Sequence, residues 1–178
     1  MARYLSRFFL IPILSSLIFV SAAYADGDSS NGKKTGKSTV SLRLEKKLSI
    51  TDVSDITFNL TGEDTGQNQS AYDAVCIYSN DLQGKYSIKA TTKNGSFILK
   101  SNTASIPYKI FWNDSDTPGG KVLVYNTSKD MNGASQKIKC GGTPNARFTI
   151  KIAGADTAGK PSGRYSDTVT FILSGYTV

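Results

Sequence analysis

Two cysteines, one tryptophan and no histidine bound the chemistry open to this 178-residue chain. Without His, the Ser-His-Asp and Cys-His arrangements and His-ligated zinc are all out of reach. Paired acids remain: Glu63 beside Asp64, and Asp114 near Asp116, residue types that serve glycoside hydrolysis or calcium binding. Both pairs sit among Gly, Asn, Ser and Thr, where a carboxylate is an ordinary solvated turn former. No G-x-x-x-x-G-K-[ST] or G-x-G-x-x-G run offers a phosphate cradle. The expectation is a protein that is not an enzyme and that uses no metal and no cofactor.

Trp112 allows two readings. Exposed at a strand end beside Phe111, it would present a ring face for a sugar to stack on; buried, it would be a core residue of a β-sandwich. Cys76 and Cys140 are not a C-x-x-C pair, so a redox or metal role is poorly supported. Their compartment is set by the N-terminus. Arg3 and Arg7, an apolar run from Phe8 to Val20 and an Ala23-Tyr24-Ala25 site form a secretory signal peptide over residues 1–25. The run is short and interrupted by Pro12, so no integral membrane segment is expected. In an oxidising compartment the two cysteines are expected to form one disulfide.

Removal of residues 1–25 would leave 153 residues, one domain's worth, and lower the net charge from +7 to +5. The lysines are scattered singly, as on a solvated surface, and no nucleic-acid partner is expected.

The elements that position these side chains are strands. Residues 26–38 contain no apolar side chain and form a flexible polar leader. Val40, Leu42 and Leu44 then alternate with Ser41 and Arg43, and beyond Lys46-Lys47 the alternation resumes at Leu48 and Ile50. Period-two patterns follow at 52–60, 74–78, 85–91, 96–99, 106–112, 121–125, 138–140 and 148–152. Asn94-Gly95 reads as a hairpin turn between the strands at 85–91 and 96–99. A closing strand is expected over 163–173, with Tyr165, Val169, Phe171 and Leu173 on one face. About eight short strands at even spacing, with no long helical pattern, predict an all-β antiparallel sandwich of immunoglobulin type.

The closing run Gly163-Arg164-Tyr165-Ser166-Asp167-Thr168-Val169-Thr170-Phe171, with the signal peptide, polar leader and single disulfide, resembles subunits of chaperone-usher pili. The nearest group is the archaic pilins with spore coat U-type domains. The resemblance implies an incomplete immunoglobulin-like domain over 51–178 that lacks its last strand and is completed by donor-strand exchange. Its partners would be a periplasmic chaperone, an outer-membrane usher and neighbouring pilin subunits. The chain would pass through the periplasm to the cell surface and support adhesion and biofilm formation.

The donor segment is placed within 39–50. Val40, Leu42 and Leu44 are its inserted side chains, and Leu48 and Ile50 are either further inserts or the start of the first core strand. Tyr165, Val169, Phe171 and Leu173 would face the groove or the chaperone. Two other readings stay open: a free-standing secreted sandwich that binds glycan through Trp112, and a matrix protein of spore coat U type.

Overall fold

The computed structural model describes residues 29–30, 33–34, 37–81 and 83–175. The expected signal peptide lies outside them. Two compact units are distinguished, one ending at Arg43 and one beginning at Leu44. In the first, β1 (Ser29–Ser30) pairs antiparallel with β2 (Lys33–Lys34), and residues 37–43 carry no strand and are exposed.

The second unit is an antiparallel β-sandwich. Its larger sheet has the order β3 (Leu48–Thr51), β4 (Gln69–Ser79), β11 (Ala146–Ile152), β8 (Lys109–Asn113), β9 (Lys121–Val122). The smaller sheet is β10 (Lys129–Met131), β5 (Tyr86–Thr92), β12 (Val169–Gly175). A two-stranded ribbon pairs β6 (Ile98–Lys100) with β7 (Ser105–Pro107).

Alternation decides which side chains fill the space between the sheets. Val75 and Ile77 of β4, Ile110 and Trp112 of β8, and Phe148, Ile150 and Ile152 of β11 face Tyr86, Ile88 and Ala90 of β5, with Leu123 and Met131 closing the margins. Cys76 and Cys140 are joined in a disulfide. The bond ties β4 to a short 3-10 turn, Ile138–Gly142, in which Lys139, Cys140 and Gly141 all adopt left-handed backbone angles.

Several expectations need correction. Residues 52–60 alternate in burial but form no strand, because Asp52, at φ 65°, turns the chain out of the β3 ladder. Asn94-Gly95 does make a turn, with the Gly95 N–H donating to the Thr92 carbonyl. It does not make a hairpin: both edges of β5 are taken by β10 and β12, so β6 pairs forward with β7.

The strand expected at 106–112 breaks at Tyr108 into β7 and β8. That expected at 121–125 is only two residues long. The run at 138–140 is the 3-10 turn, since left-handed residues cannot continue a ladder. The closing strand starts at Val169 rather than Gly163, preceded by an isolated bridge between Ser166 and Lys100.

One close approach is testable. The helical turn α1 (Gly154–Thr157) abuts the loop at 66–68: Thr157 Oγ1 accepts from the Gly66 N–H at 3.1 Å, and the Gly154 N–H donates to Asn68 Oδ1 at 2.9 Å. A Cβ at position 154 would overlap the Gly66 carbonyl group. Gly154→Ala should therefore lower stability by about 1–3 kcal/mol, the usual penalty of forced overpacking, read as a lower urea midpoint. An unchanged midpoint would show that the loop shifts freely.

Candidate functional site

The edges of the two sheets meet at β3 and β12 without sharing a ladder. The strands lie beside one another, yet β3 bonds only to β4, and β12 only to β5. The chain that continues from β3 is no better satisfied: residues 55–60 make no hydrogen bond to another described residue, and Ser54 N–H is held by Asp73 Oδ2 at 2.6 Å. The result is a seam with unpaired backbone along both sides.

Apolar side chains line this seam and are incompletely covered. Leu48 and Ile50 of β3, Ile56 and Phe58 of the unpaired segment, and Val169, Phe171 and Leu173 of β12 all rest against the core while staying half-buried. Register makes the deficit explicit. Phe171 pairs with Ala90 and Leu173 with Ile88; the β5 residues are 0% exposed, whereas their β12 partners are not fully buried. A strand laid along the seam would cover these side chains and could pair with an open backbone edge.

The entry to β12 is fixed by Asp167. Its Oδ1 accepts from the backbone N–H groups of Asn94 (3.2 Å) and Thr168 (2.8 Å), and its Oδ2 accepts from the Tyr108 hydroxyl (2.9 Å). Burial, and then the neighbouring Asp167 carboxylate, push the Tyr108 phenol well above its ordinary range, so it remains a neutral donor. This clamp gives the Asp of the Gly163-to-Asp167 run a structural role just ahead of the β12 ladder. Tyr165 precedes the strand; it packs against the core and its hydroxyl donates to the Pro161 carbonyl at 2.8 Å.

The floor beneath Phe171 is aromatic. Its ring lies 5.4 Å from that of Trp112 and 4.9 Å from that of Phe148. Trp112 is wholly buried and its Nε1–H donates to the Tyr86 hydroxyl at 2.9 Å; that hydroxyl in turn donates to Asp114 Oδ1. No ring face of Trp112 is open to a sugar, which corrects the glycan-stacking reading of this residue. Asp114 serves the network and also accepts from the Asn132 N–H at 3.0 Å, so it is a structural acid.

The N-terminal alternating segment divides. Leu48 and Ile50 belong to β3 and pair with Ser79 and Ile77 of their own domain. Val40, Leu42 and Leu44 lie in a stretch, 37–47, that has no strand at all, and they are 91%, 83% and 82% exposed. The period-two pattern at 52–60 puts Ile56 and Phe58 on one face of an expected strand. Their role as one wall of an open seam was not readable, because alternation marks a face without saying whether the backbone has a partner.

No family model matches this sequence, and no curated protein matches it. Among solved structures, the chain is similar to one described as "Chaperone-tip adhesin complex is vital for synergistic activation of CFA/I fimbriae biogenesis", at 12% identity and a TM-score of 0.54. The match covers 73% of this chain and 42% of that one, so the chain spans less than half its length. At such identity the likeness establishes the fold.

Proposed function

We propose that this chain is a non-catalytic structural subunit of a chaperone-usher pilus that polymerises by donor-strand exchange. The observation that carries the reading is the seam between β3 and β12, with its half-buried apolar side chains and unpaired backbone. The donor would be the segment carrying Val40, Leu42 and Leu44, projected alternately from a stretch that has no strand of its own. Its three aliphatic side chains gain nothing where they are and would each contribute on the order of 1.5–3 kcal/mol once buried in a neighbour.

Before assembly a periplasmic chaperone would occupy the same seam, since an uncovered apolar edge invites aggregation. The likeness to a component of a chaperone–tip adhesin complex supports this setting. Passage through an outer-membrane usher, display at the cell surface and a part in adhesion and biofilm formation follow from the same reading. The narrower placement among archaic pilins with spore coat U-type domains rests on the closing motif, Gly163 to Phe171.

Leu42→Arg tests the assignment. Leu42 is exposed, so the subunit should keep its unfolding midpoint and its complex with a chaperone. A charge cannot enter an apolar pocket unpaired, so fibres seen by electron microscopy should disappear. Normal fibres from this variant, or an unfolded subunit, would remove 40–44 as donor.

A further inference from the structure

The outer face of the larger sheet carries a charge arrangement that the seam does not use. Lys109 of β8 and Lys151 of β11 are direct cross-strand partners, so their side chains leave the same face side by side. Both are exposed, and neither joins an ion pair among the described residues, where the salt bridges are Lys46 with Asp81 and Arg147 with Asp116. Like charges directly opposite destabilise a sheet. An anion held between the two ammonium groups would turn that repulsion into attraction.

The pair borders a cleft of about 600 Å³, within the roughly 300–1,000 Å³ usual for small-molecule sites. One wall is apolar: Pro107 and the ring of Phe111, 4.7 Å from Lys151 Nζ. Polar groups lie beside the lysines: Asn68 Oδ1 is engaged by the Gly154 N–H, which leaves its Nδ2 hydrogens to donate, and the exposed Ser70, direct cross-strand partner of Lys151, brings its hydroxyl to the same face. Asp156, the one acid of the lining, pairs with neither lysine.

Two cations, an apolar wall, an amide and a hydroxyl match a ligand that combines a carboxylate, a C–H face and hydroxyls. A bare inorganic anion would use only the first of these. We propose that this cleft binds a carboxylated sugar, its carboxylate between Lys109 and Lys151, its ring face against Phe111 and Pro107, and its hydroxyls on Asn68 and Ser70. None of these residues lines the seam, so the site is independent of strand addition. A polymer would repeat it once per subunit, and weak single contacts would gain by multivalency.

The test is a titration of the ¹⁵N-labelled protein with methyl glucuronide, and in parallel with methyl glucoside, acetate and inorganic phosphate. Saturable shifts at the amides of Ser70, Lys109, Phe111 and Lys151 are expected with the glucuronide alone. Affinity should fall at least tenfold in the Lys109→Gln, Lys151→Gln double variant and return in the corresponding double Arg variant. The remaining peaks report directly that each variant is folded. Absence of saturable shifts overturns the proposal, as does equal binding of the glucoside, which would leave the lysines without a role. Equal binding of acetate or phosphate would also overturn it, reducing the cleft to a simple anion site, and so would undiminished affinity in the double Gln variant.

Discussion

Trp112→Ala should remove a large part of the stability of the domain. Truncating a fully buried large aromatic costs about 3–5 kcal/mol, against a total of about 5–15 kcal/mol for a domain of this kind. The indole fills the space between β8 and the Phe171 ring, and its N–H satisfies the buried Tyr86 hydroxyl. Loss of the ring therefore also leaves the Tyr86–Asp114 pair without its third member. Trp112→Phe keeps a ring but no donor and should fall between parent and Ala. Because Trp112 is the only tryptophan, unfolding in urea is best followed by far-UV circular dichroism. An unfolding free energy within about 1 kcal/mol of the parent would contradict the core assignment and reopen a surface role for the ring.

Cys76→Ser should be nearly as damaging. The chain-entropy model assigns about 4 kcal/mol to a bond that closes a loop of this length, and the cysteines are 64 residues apart in sequence. The local structure adds a reason. The segment around Cys140 has no ladder to hold it; left-handed residues at 139–141 keep it out of the sheet. Beyond the disulfide it is pinned by the Ser135 backbone, bonded to Ile77 and Ser79, and by Asn145, whose Oδ1 accepts from the Ile77 N–H and whose Nδ2 donates to the Ile77 and Gly133 carbonyls. With the bond gone, amides from 132 to 145 should lose hydrogen-exchange protection first, together with a drop in the urea midpoint. Equal midpoints for the parent and the variant would show that the Asn145 clamp and the backbone bonds of Ala134 and Ser135 to Gly84, Ile77 and Ser79 suffice.

Alternation made most of the sandwich legible. The apolar faces of β5, β8, β11 and β12 follow from spacing alone, since a period of two has one inward side. Pairing was less visible. Asn94-Gly95 between two apolar runs gives the local signal of a hairpin, but β12, far along the chain, offers β5 a longer partner: Val169 to Gly175 against Thr92 to Tyr86. Strand β10, Lys-Asp-Met, has no alternation to read and exists because Met131 and the Ser87–Asp130 hydrogen bond, 2.5 Å, hold it against β5. The seam itself was expected only from resemblance. An unpaired backbone is a property of neighbours, and no residue type announces it. Trp112 could be weighed but not placed, for burial depends on the opposite sheet.

The partner of β5 has a consequence for timing. Gly175 pairs with Tyr86, and Val169 with Thr92, so the central strand of the smaller sheet is made early and waits for a strand made very late. Until residue 175 has emerged, Ile88 and Ala90 have only one face of the future core to meet. Such non-local pairing folds slowly, because loop closure must precede any reward from contact. The smaller sheet is therefore completed only after synthesis has passed β12, and until then one whole edge of β5 has no strand to pair with.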